Sequence, residues 1–413
     1  MRDSIRLPAF AALLLVAAPV PAAAQLAVRA ETVYTMAGAP LRDGVVLVGA
    51  DGRIERVGTA AEVKIPAGHR VLTARAVTPG LVDAHTVVGL SGILNQPHDQ
   101  DQLERSSPVQ PELRALDAYN AREELVGWVR GFGVTTLHTG HGPGALVSGQ
   151  TMVVKTTGET VGDALVDSVT MVAMTLGPDV GRNYDNRPGT RARGIATLRA
   201  EFVKAREYAA RRARSPGEGK GGADSAARDL GKEVLARVLA GELPALVTAQ
   251  TAREILGALR LQREFGFRLV LDGAAEAYLV LDEIRAAGVP VILHPTMARH
   301  GGTLENATFE TATKLRDAGI PFALQSGYEG YVPKTRVVLF EAAMAAAYGL
   351  TVEQALAAVT IDAARIIGQE ERIGTLERGK DADLALFDGP PLEHTTHVCA
   401  VVVRGVVASE ECR

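Results

Sequence analysis

The sequence lacks several features that would suggest a role directly. Aromatic residues make up 4% of its 413 residues, which does not suit an aromatic recognition surface. The formal net charge is −4, so there is no basic field and nucleic acid is not expected as a partner. Beyond the N-terminus, no run reaches the ~20 uninterrupted apolar residues that a membrane span needs. The abundant alanine, valine, leucine and glycine instead suit helices packed closely on a sheet.

The first 24 residues have the layout of a secretory signal peptide. Two arginines lie within the first six residues, and the apolar run 7–20 is broken by Pro8 and Pro19. Three alanines at 22–24 fit a small-residue cleavage site. We predict a cleaved signal, residues 1–24, and a periplasmic or secreted mature protein with no membrane span. A membrane anchor is the alternative, but the run is short and interrupted by proline.

Cysteine is scarce, with only Cys399 and Cys412 in the chain. In an oxidising compartment the two could form one disulfide that ties down the C-terminal tail. The alternative is a buried Cys399 and a frayed Cys412. We favour this alternative, because pairing is not indicated by spacing alone.

Both ends of the mature chain have a sequence pattern typical of short β-strands joined by turns. In residues 25–78, short β-prone runs alternate with turn signals such as the Asp-Gly pairs at 43–44 and 51–52. Residues 371–413 repeat this strand-turn-strand pattern. We therefore predict that the two ends form one small composite β-sandwich, with the termini close together.

Residues 79–370 change to apolar strands that alternate with amphipathic helices. The predicted strands are 81–85, 134–139, 151–156, 169–175, 245–249, 268–272, 289–294 and 321–325. About eight such units predict an α/β fold, a parallel (β/α)8 TIM-type barrel. Residues 198–242 interrupt the pattern as a charged helical insertion, which we interpret as a solvated face. A lid, a partner surface or a homo-oligomer contact is the alternative for it.

Polar side chains gather at the predicted C-terminal ends of the strands, where a barrel keeps its chemistry. Asp83 and His85 are two residues apart, so they share a face of the first strand. The further candidates are His138, His141, Gln150, Lys155, Asp272, Glu276, His294 and Ser326.

Each of these candidates also has a structural interpretation. A lone histidine is more often a satisfied structural group than a ligand. Asp272 could cap a helix, and Glu276 could act on a helix N-terminus. A lysine on a strand is costly unless it is paired, carbamylated or at the rim, so Lys155 belongs either to the site or to the rim. The glycine-rich segment 140–150 precedes a strand, which favours a tight loop over the barrel mouth rather than a phosphate cradle.

Several segments resemble the amidohydrolase superfamily, and in particular its imidazolonepropionase-like branch. They are PGLVDAH at 79–85, GVTT at 133–136, SGQ at 148–150 with Lys155, EAY at 276–278 and GTLERGKDADL at 374–384. The last run is specific to the return from barrel to β-sandwich. The resemblance covers nearly all of the mature chain.

The resemblance implies hydrolysis at a divalent metal, such as zinc, which activates a water. It implies two histidines on strand 1, one histidine each on strands 5 and 6, an aspartate on strand 8, and in some members a carbamylated lysine. His85 matches the first ligand and Lys155 the lysine. The other positions carry no matching ligand, with Val87 for the second histidine, VTAQ at 247–250 on strand 5, Gly273 on strand 6 and Gly327 on strand 8. An ordinary metal centre is therefore not expected, although His85 could still bind one ion.

Two functions remain open. One is an exported hydrolase of carbon–nitrogen bonds other than peptide bonds, with a rearranged metal site or metal-free acid–base catalysis. In the metal-free form, His85 would be the general base, with Asp83 nearby and Lys155 or His294 stabilising charge. His138, His141, Gln150, Asp272, Glu276 and Ser326 would contact an amide-like small molecule. The other is a non-catalytic member of the fold that binds a small ligand or a protein.

Overall fold

The computed structural model describes residues 25–94, 96–185, 187–214, 227–294, 301–328 and 337–413. The predicted signal peptide and the tip of the insertion lie outside these residues. Within them, no helix is long and apolar enough to cross a membrane.

The described part of the chain is a mixed α/β fold. Its strands are β1 Leu26–Val33, β2 Leu41–Val48, β3 Ile54–Thr59, β4 Arg70–Pro79, β5 Leu81–Thr86, β6 Val134–Thr139, β7 Val147–Gln150, β8 Met152–Lys155, β9 Leu165–Asp167, β10 Val172–Thr175, β11 Ala245–Ala249, β12 Leu269–Gly273, β13 Val291–Leu293, β14 Phe322–Leu324, β15 Leu384–Phe387, β16 Val398–Val403 and β17 Val406–Ser409. Its α-helices are α1 Glu124–Gly131, α2 Val161–Ala164, α3 Asp179–Asn183, α4 Arg191–Arg214, α5 Leu230–Leu239, α6 Ala252–Phe265, α7 Leu281–Ala287, α8 Thr311–Asp317, α9 Val338–Ala347, α10 Val352–Ala358 and α11 Ile361–Ile366.

Both ends of the chain contribute to one seven-stranded sheet, in the order β17-β16-β15-β4-β1-β2-β3. β1 is parallel to β4 and antiparallel to β2, and β15 joins β4 antiparallel. Because β4 pairs with both β1 and β15, the N-terminal and C-terminal strands share one hydrogen-bonded ladder. The structure therefore has a single hydrogen-bonded sheet here, which is one of the two forms, a sheet or a sandwich, that the sequence allows.

The middle of the chain forms two further sheets, with orders β14-β13-β12-β11-β10-β7 and β5-β6-β8-β9. β10 to β14 are parallel neighbours, as predicted. The prediction of an all-parallel arrangement is wrong for the third strand, because β7 and β8 run antiparallel to β10 and β6. Only residues 140–146 separate β6 from β7, which is too short for a parallel crossover.

The two sheets approach each other at both edges. On one side the chain passes from β7 to β8 through Thr151. On the other side a single parallel bridge joins Thr86 to Gly327, and the Gly327 amide donates to the His85 carbonyl at 3.2 Å. No continuous ladder closes the described strands into a barrel, so the predicted closed barrel is not seen as such.

Local sequence signals account for the helices that cover the parallel sheet. In α6, Thr251 and Glu254 form a reciprocal capping box at the N-terminus. Gly266 ends the helix in the left-handed conformation, with φ of 79°. Between these ends, Ile255 and Leu259 are buried four residues apart, which directs one face of α6 onto the sheet.

The charged insertion begins earlier than predicted, because α4 starts at Arg191 rather than at residue 198. It is packed on the domain rather than only solvated. Leu198, Phe202, Ala205 and Tyr208 are buried at helical spacing. The Phe202 ring lies 5.1 Å from that of Phe265 and 5.5 Å from that of Phe267, measured between centroids.

The structure pairs Cys399 with Cys412, so the favoured alternative of a frayed Cys412 is wrong. The pairing follows from the path of the last residues. Val398 and Arg413 exchange two backbone hydrogen bonds, of 2.9 and 3.0 Å, which bring the tail back alongside β16.

A buried ion pair joins the four-stranded sheet to the seven-stranded sheet. Lys155 is fully buried at the end of β8, and its Nζ donates to Asp383. Asp381 lies 3.6 Å from the same nitrogen, and Thr136 Oγ1 accepts from it at 3.2 Å. The Asp383 main chain also accepts from the Gly80 amide at 2.8 Å. Lys155 therefore holds the C-terminal segment against the start of β5.

We expect Lys155→Met to lower the free energy of unfolding by about 3–5 kcal/mol, because it leaves a buried carboxylate without its partner. Urea unfolding followed by circular dichroism measures this change. Lys204→Met is the matched control, since Lys204 is exposed in its 2.7 Å pair with Glu201 and should cost under about 1 kcal/mol. Equal losses of unfolding free energy in the two variants would show that the Lys155–Asp383 pair does not join the two sheets.

Candidate active site

The centre of the site is a buried histidine–aspartate pair between two strands. His85 lies near the end of β5 and Asp272 near the end of β12. Nδ1 of His85 is 2.9 Å from Oδ1 of Asp272, and both side chains are less than 5% exposed. Nε2 of His85 has no partner in good hydrogen-bond geometry, although the His141 main chain lies close enough to the ring to raise its pKa. One side of the imidazole is thus oriented by a carboxylate, and the other is left for a further partner.

Two more side chains hold Asp272 in place. Thr248 on β11 donates to Oδ2 at 2.6 Å, and Gln325, just after β14, donates to Oδ1 at 2.8 Å. Gln325 also donates to the Ile292 carbonyl at 3.1 Å. Asp272 therefore receives bonds from the ends of three other elements.

The electrostatics favour an ion pair between these two groups. Burial alone would raise the pKa of Asp272, but the charge of His85 and the bonds from Thr248 and Gln325 lower it. Burial would likewise lower the pKa of His85, but the carboxylates of Asp272 and Asp83 outweigh it and raise the pKa. Both shifts act in the same direction and favour an imidazolium beside a carboxylate over the neutral pair.

Asp83, two residues before His85, belongs to a second buried contact. Its Oδ1 accepts from the Ser326 amide at 2.9 Å, and its Oδ2 accepts from the Ser326 hydroxyl. Ser326 Oγ is also 3.1 Å from Thr86 Oγ1. Burial raises the pKa of Asp83 to about 6, against the opposing effect of the Ser326 bonds. Ser326 thus links the first and last strands of the two sheets.

His138 is adjacent to His85 but acts as a neutral structural group. Its ring centroid lies 6.0 Å from that of His85. Nδ1 is 2.6 Å from the Ala84 carbonyl, which can only accept, so Nδ1 carries the proton. Nε2 then accepts from the Thr151 hydroxyl at 2.7 Å. Burial and the charge of His85 lower the pKa of His138 to about 3.

The structure does not bring Lys155 to this cluster. β8 runs antiparallel to β6, and Lys155 pairs with Thr136 near the start of β6. His138 lies near the opposite end of that strand. The predicted role of Lys155 in stabilising charge beside His85 is therefore wrong, because its strand has the reverse direction.

Two other residues that we predicted to contact the substrate, Glu276 and Gln150, instead make hydrogen bonds within the protein. Glu276 accepts from the Ala252 amide at 2.7 Å and from Asn306 Nδ2 at 2.8 Å, so it caps α6. Gln150 donates to the carbonyls of Pro111 and Glu112 at 3.0 and 3.3 Å. Both side chains support loops, which agrees with the structural interpretation rather than with substrate binding.

The two remaining histidines are buried in segments that follow strands. His141 lies in the loop between β6 and β7, where burial lowers its pKa and an interaction with Asp101 opposes this shift. His294 follows β13, and its amide donates to the Gly273 carbonyl at 2.8 Å. This bond places the His294 backbone beside the end of β12.

Thr248 and Gln325 are site residues that we did not select from the sequence. Thr248 stood out only as part of the segment 247–250, which lacks the histidine expected there. Register would have found Thr248, since it is directly opposite Asp272 in the β11–β12 ladder. Gln325 has no such signal, because its bond to Asp272 reaches across β13.

The residues present do not fit the metal centre that the resemblance implies. Val87 is apolar, and a β-carbon on Gly142 would lie 3.3 Å from it. A β-carbon on Gly273 would lie 2.4 Å from Gln250 Nε2, so Gln250 fills the space of a strand-6 side chain. Both oxygens of Asp272 already accept hydrogen bonds. Within the described ranges, no group of three or more His, Cys, Asp or Glu side chains is arranged to hold a metal ion.

Comparisons with known proteins place the chain in a family. A family model described as "Amidohydrolase family" matches residues 315–411. An amidohydrolase from Thermotoga maritima is 30% identical over 94% of this chain and 100% of its own, with a TM-score of 0.87. The chain therefore belongs to the amidohydrolase superfamily and is a hydrolase of that family.

The more similar curated relatives define the branch. Imidazolonepropionase from Symbiobacterium thermophilum is 29% identical, over 94% of this chain and 97% of its own length. Imidazolonepropionase from Rhizorhabdus wittichii is 28% identical, over 86% and 91%. The amidohydrolase tasK of Hapsidospora irregularis is 25% identical, but the match spans only 35% of its length. The chain lies in the imidazolonepropionase-like branch, and a non-catalytic module is not favoured.

We expect His138 to make the protein acid-sensitive. Its pKa falls from 6.5 to about 3 on folding, so the unfolded state binds an extra proton between these values. The contribution of neutral His138 to the free energy of unfolding is fully present above pH 6.5. It is lost as the pH falls towards 3, at about 1.4 kcal/mol per pH unit. Urea unfolding from pH 7.5 to 4.5 measures the slope.

His138→Gln should be less stable at neutral pH, but its stability should fall less steeply with acid. The control is His98→Gln, which changes an exposed histidine and should keep the wild-type slope. An unchanged slope in His138→Gln would contradict the neutral, buried state of His138.

Proposed function

We propose that this protein is an exported hydrolase of carbon–nitrogen bonds other than peptide bonds. Its chemistry would be centred on His85 and Asp272 and would not use the family's usual metal ligands. The observation that carries the proposal is the buried 2.9 Å pair, with one nitrogen of His85 unpartnered at the strand ends. A base oriented by a carboxylate is a recurrent arrangement in acid–base catalysis.

The raised pKa changes the role that we assign to His85. A ring whose protonated form is favoured is a poorer general base, because it must lose a proton before it can accept one from water. Its Nε2 proton can instead stabilise negative charge on the oxygen of an attacked amide carbonyl. The same proton can then pass to the leaving nitrogen. The nucleophile would be water, and the proton that it releases as the C–N bond breaks would return to Nε2. Asp272 would keep the ring oriented during this exchange.

The names of the relatives suggest the substrate class. Two curated relatives aligned over most of this chain are imidazolonepropionases, named for a five-membered ring with C–N bonds. We therefore propose a cyclic amide as the substrate.

The proposal includes a finer description of the fold. We propose that the two central sheets together form one closed barrel over residues 79–370. The sheets would be joined at Thr151 and at the Thr86–Gly327 bridge. Residues 25–78 and 371–413 would form the second domain. The similarity to the amidohydrolase structure from Thermotoga maritima supports the barrel only through the family that it shows.

The decisive variants are His85→Asn and Asp272→Asn. The wild-type protein should open at least one ring in a panel of imidazolones, lactams and hydantoins, with no activity on dipeptides. Either substitution should lower kcat by about 100-fold or more, because each removes the oriented proton donor. Ring opening is followed by absorbance, and circular dichroism checks the fold.

The matched control is His397→Asn. His397 forms the same 2.9 Å contact with Asp388, but on the surface, so kcat should stay within about twofold. No turnover across the panel by folded protein would overturn the proposal. Elemental analysis tests the metal separately: a stoichiometric ion that is lost in His85→Asn would overturn the metal-free chemistry.

Export has its own test. The Cys399–Cys412 disulfide supports an oxidising compartment, where such bonds persist. Expression of the full chain in a Gram-negative host should give periplasmic protein whose first residue is Gln25. Deletion of residues 2–24 should leave it in the cytoplasm. Cytoplasmic, uncleaved full-length protein in cell fractionation and N-terminal sequencing would contradict export.

A further inference from the structure

A cavity of about 690 Å³ lies outside the central strands, between α4 and α6. The loop after β10 closes one side of it. Its apolar lining comes from Leu146, Leu176, Pro178, Pro188 and Ile195. None of the residues of the His85–Asp272 cluster lines it. Its volume falls in the range of pockets that hold small molecules.

Four arginines surround this cavity, and only two of them are neutralised. Arg191 Nε lies 2.8 Å from Glu254 Oε1. Arg199 forms two bonds, of 2.7 and 2.8 Å, with Glu264. Arg253 and Arg260 also line the cavity, and neither has an ion pair in the described part of the chain. The cavity therefore has an uncompensated charge of about two.

Glu254, the one acidic residue in the lining, is not available to neutralise them. Its carboxylate accepts from the Gln250 and Thr251 amides at 3.2 and 3.1 Å, in addition to Arg191. It is buried, so its charge is committed to the N-terminus of α6 and to Arg191. Arg253 and Arg260 are therefore exposed cations beside the apolar part of the lining.

Two glycines within helices keep the cavity open. Gly257 lies between Arg253 and Arg260 on the same face of α6, and a β-carbon there would meet Ile195 at 3.6 Å and Arg260 at 3.8 Å. Gly194 in α4 faces Leu146 at 3.4 Å. Glycine in a helix interior is destabilising relative to alanine. A larger residue at either position would therefore reduce the volume of the cavity.

We propose that this cavity is a second binding site, for a small molecule with a carboxylate or phosphate group on an apolar body. Guanidinium groups match the planar geometry of a carboxylate and the oxygens of a phosphate. The apolar lining would hold the remainder of the molecule. The site is separate from the proposed hydrolytic cluster and does not depend on that function.

Calorimetry with purified protein tests the proposal with four probes, which are benzoate, phenyl phosphate, inorganic phosphate and benzamide. Benzoate or phenyl phosphate should bind saturably, and more weakly as NaCl rises from 50 to 500 mM. Which of the two binds more tightly identifies the group that the site takes. Benzamide and inorganic phosphate should bind at least tenfold more weakly, because each lacks either the charge or the body.

The variant Arg253→Gln/Arg260→Gln should weaken binding of the better probe at least tenfold. Gly257→Leu should do the same by filling the cavity while keeping every charge. The controls are Arg263→Gln on α6 and Arg193→Gln on α4, which change exposed arginines outside the lining. His85→Asn should retain full affinity, which separates this site from the hydrolytic one.

Three results would overturn the proposal. They are no binding of either organic anion at millimolar concentration, equal binding of benzamide, and equal loss of affinity in the lining and control arginine variants.

Discussion

The carboxylate of Asp272 is the group on which the centre of this protein depends. A buried carboxylate is costly unless nearly every acceptor position is filled. Here the partners come from His85 on β5, Thr248 on β11 and Gln325 after β14. Because these residues lie on both central sheets, satisfying one charge also fixes the relative position of the strands that surround it.

A second buried charge lies at the other end of the same strands, and its role is different. Lys155 and Asp383 join the central strands to the seven-stranded sheet. All of the polar capacity of this pair is used within the protein, whereas His85 keeps one nitrogen unpartnered. If the proposed chemistry takes place at His85, the two ends of the fold separate stability from chemistry, as in barrel enzymes, whose catalytic groups lie at the C-terminal ends of the strands.

Much of the fold was accessible from the sequence, because apolar strands and helix caps are local signals. The positions of the parallel strands and the pairing of both chain ends follow from such patterns. Strand direction was not accessible in the same way. The short connection 140–146 reverses β7 and β8, and this reversal moves Lys155 to the wrong end for catalysis.

The site was predictable in part for the same reason. Asp83 and His85 share a strand, so their proximity follows from the period of two. The contact of His85 with Asp272 spans 187 residues of sequence, and that of Asp83 with Ser326 spans 243. The predicted barrel brings the C-terminal ends of these strands to one mouth, but no local signal in the sequence pairs these particular side chains.

The side chain of Gln250 has a consequence for how this site could change. It occupies the space beside Gly273, whose φ of 77° also disfavours any residue with a β-carbon. A histidine at position 273 would therefore require a smaller residue at 250 and a shifted backbone at the same time. Val87, just after β5, would need a further substitution to supply the second histidine that the resemblance implies. A histidine at position 273 thus needs a coordinated change at position 250, which no single substitution supplies.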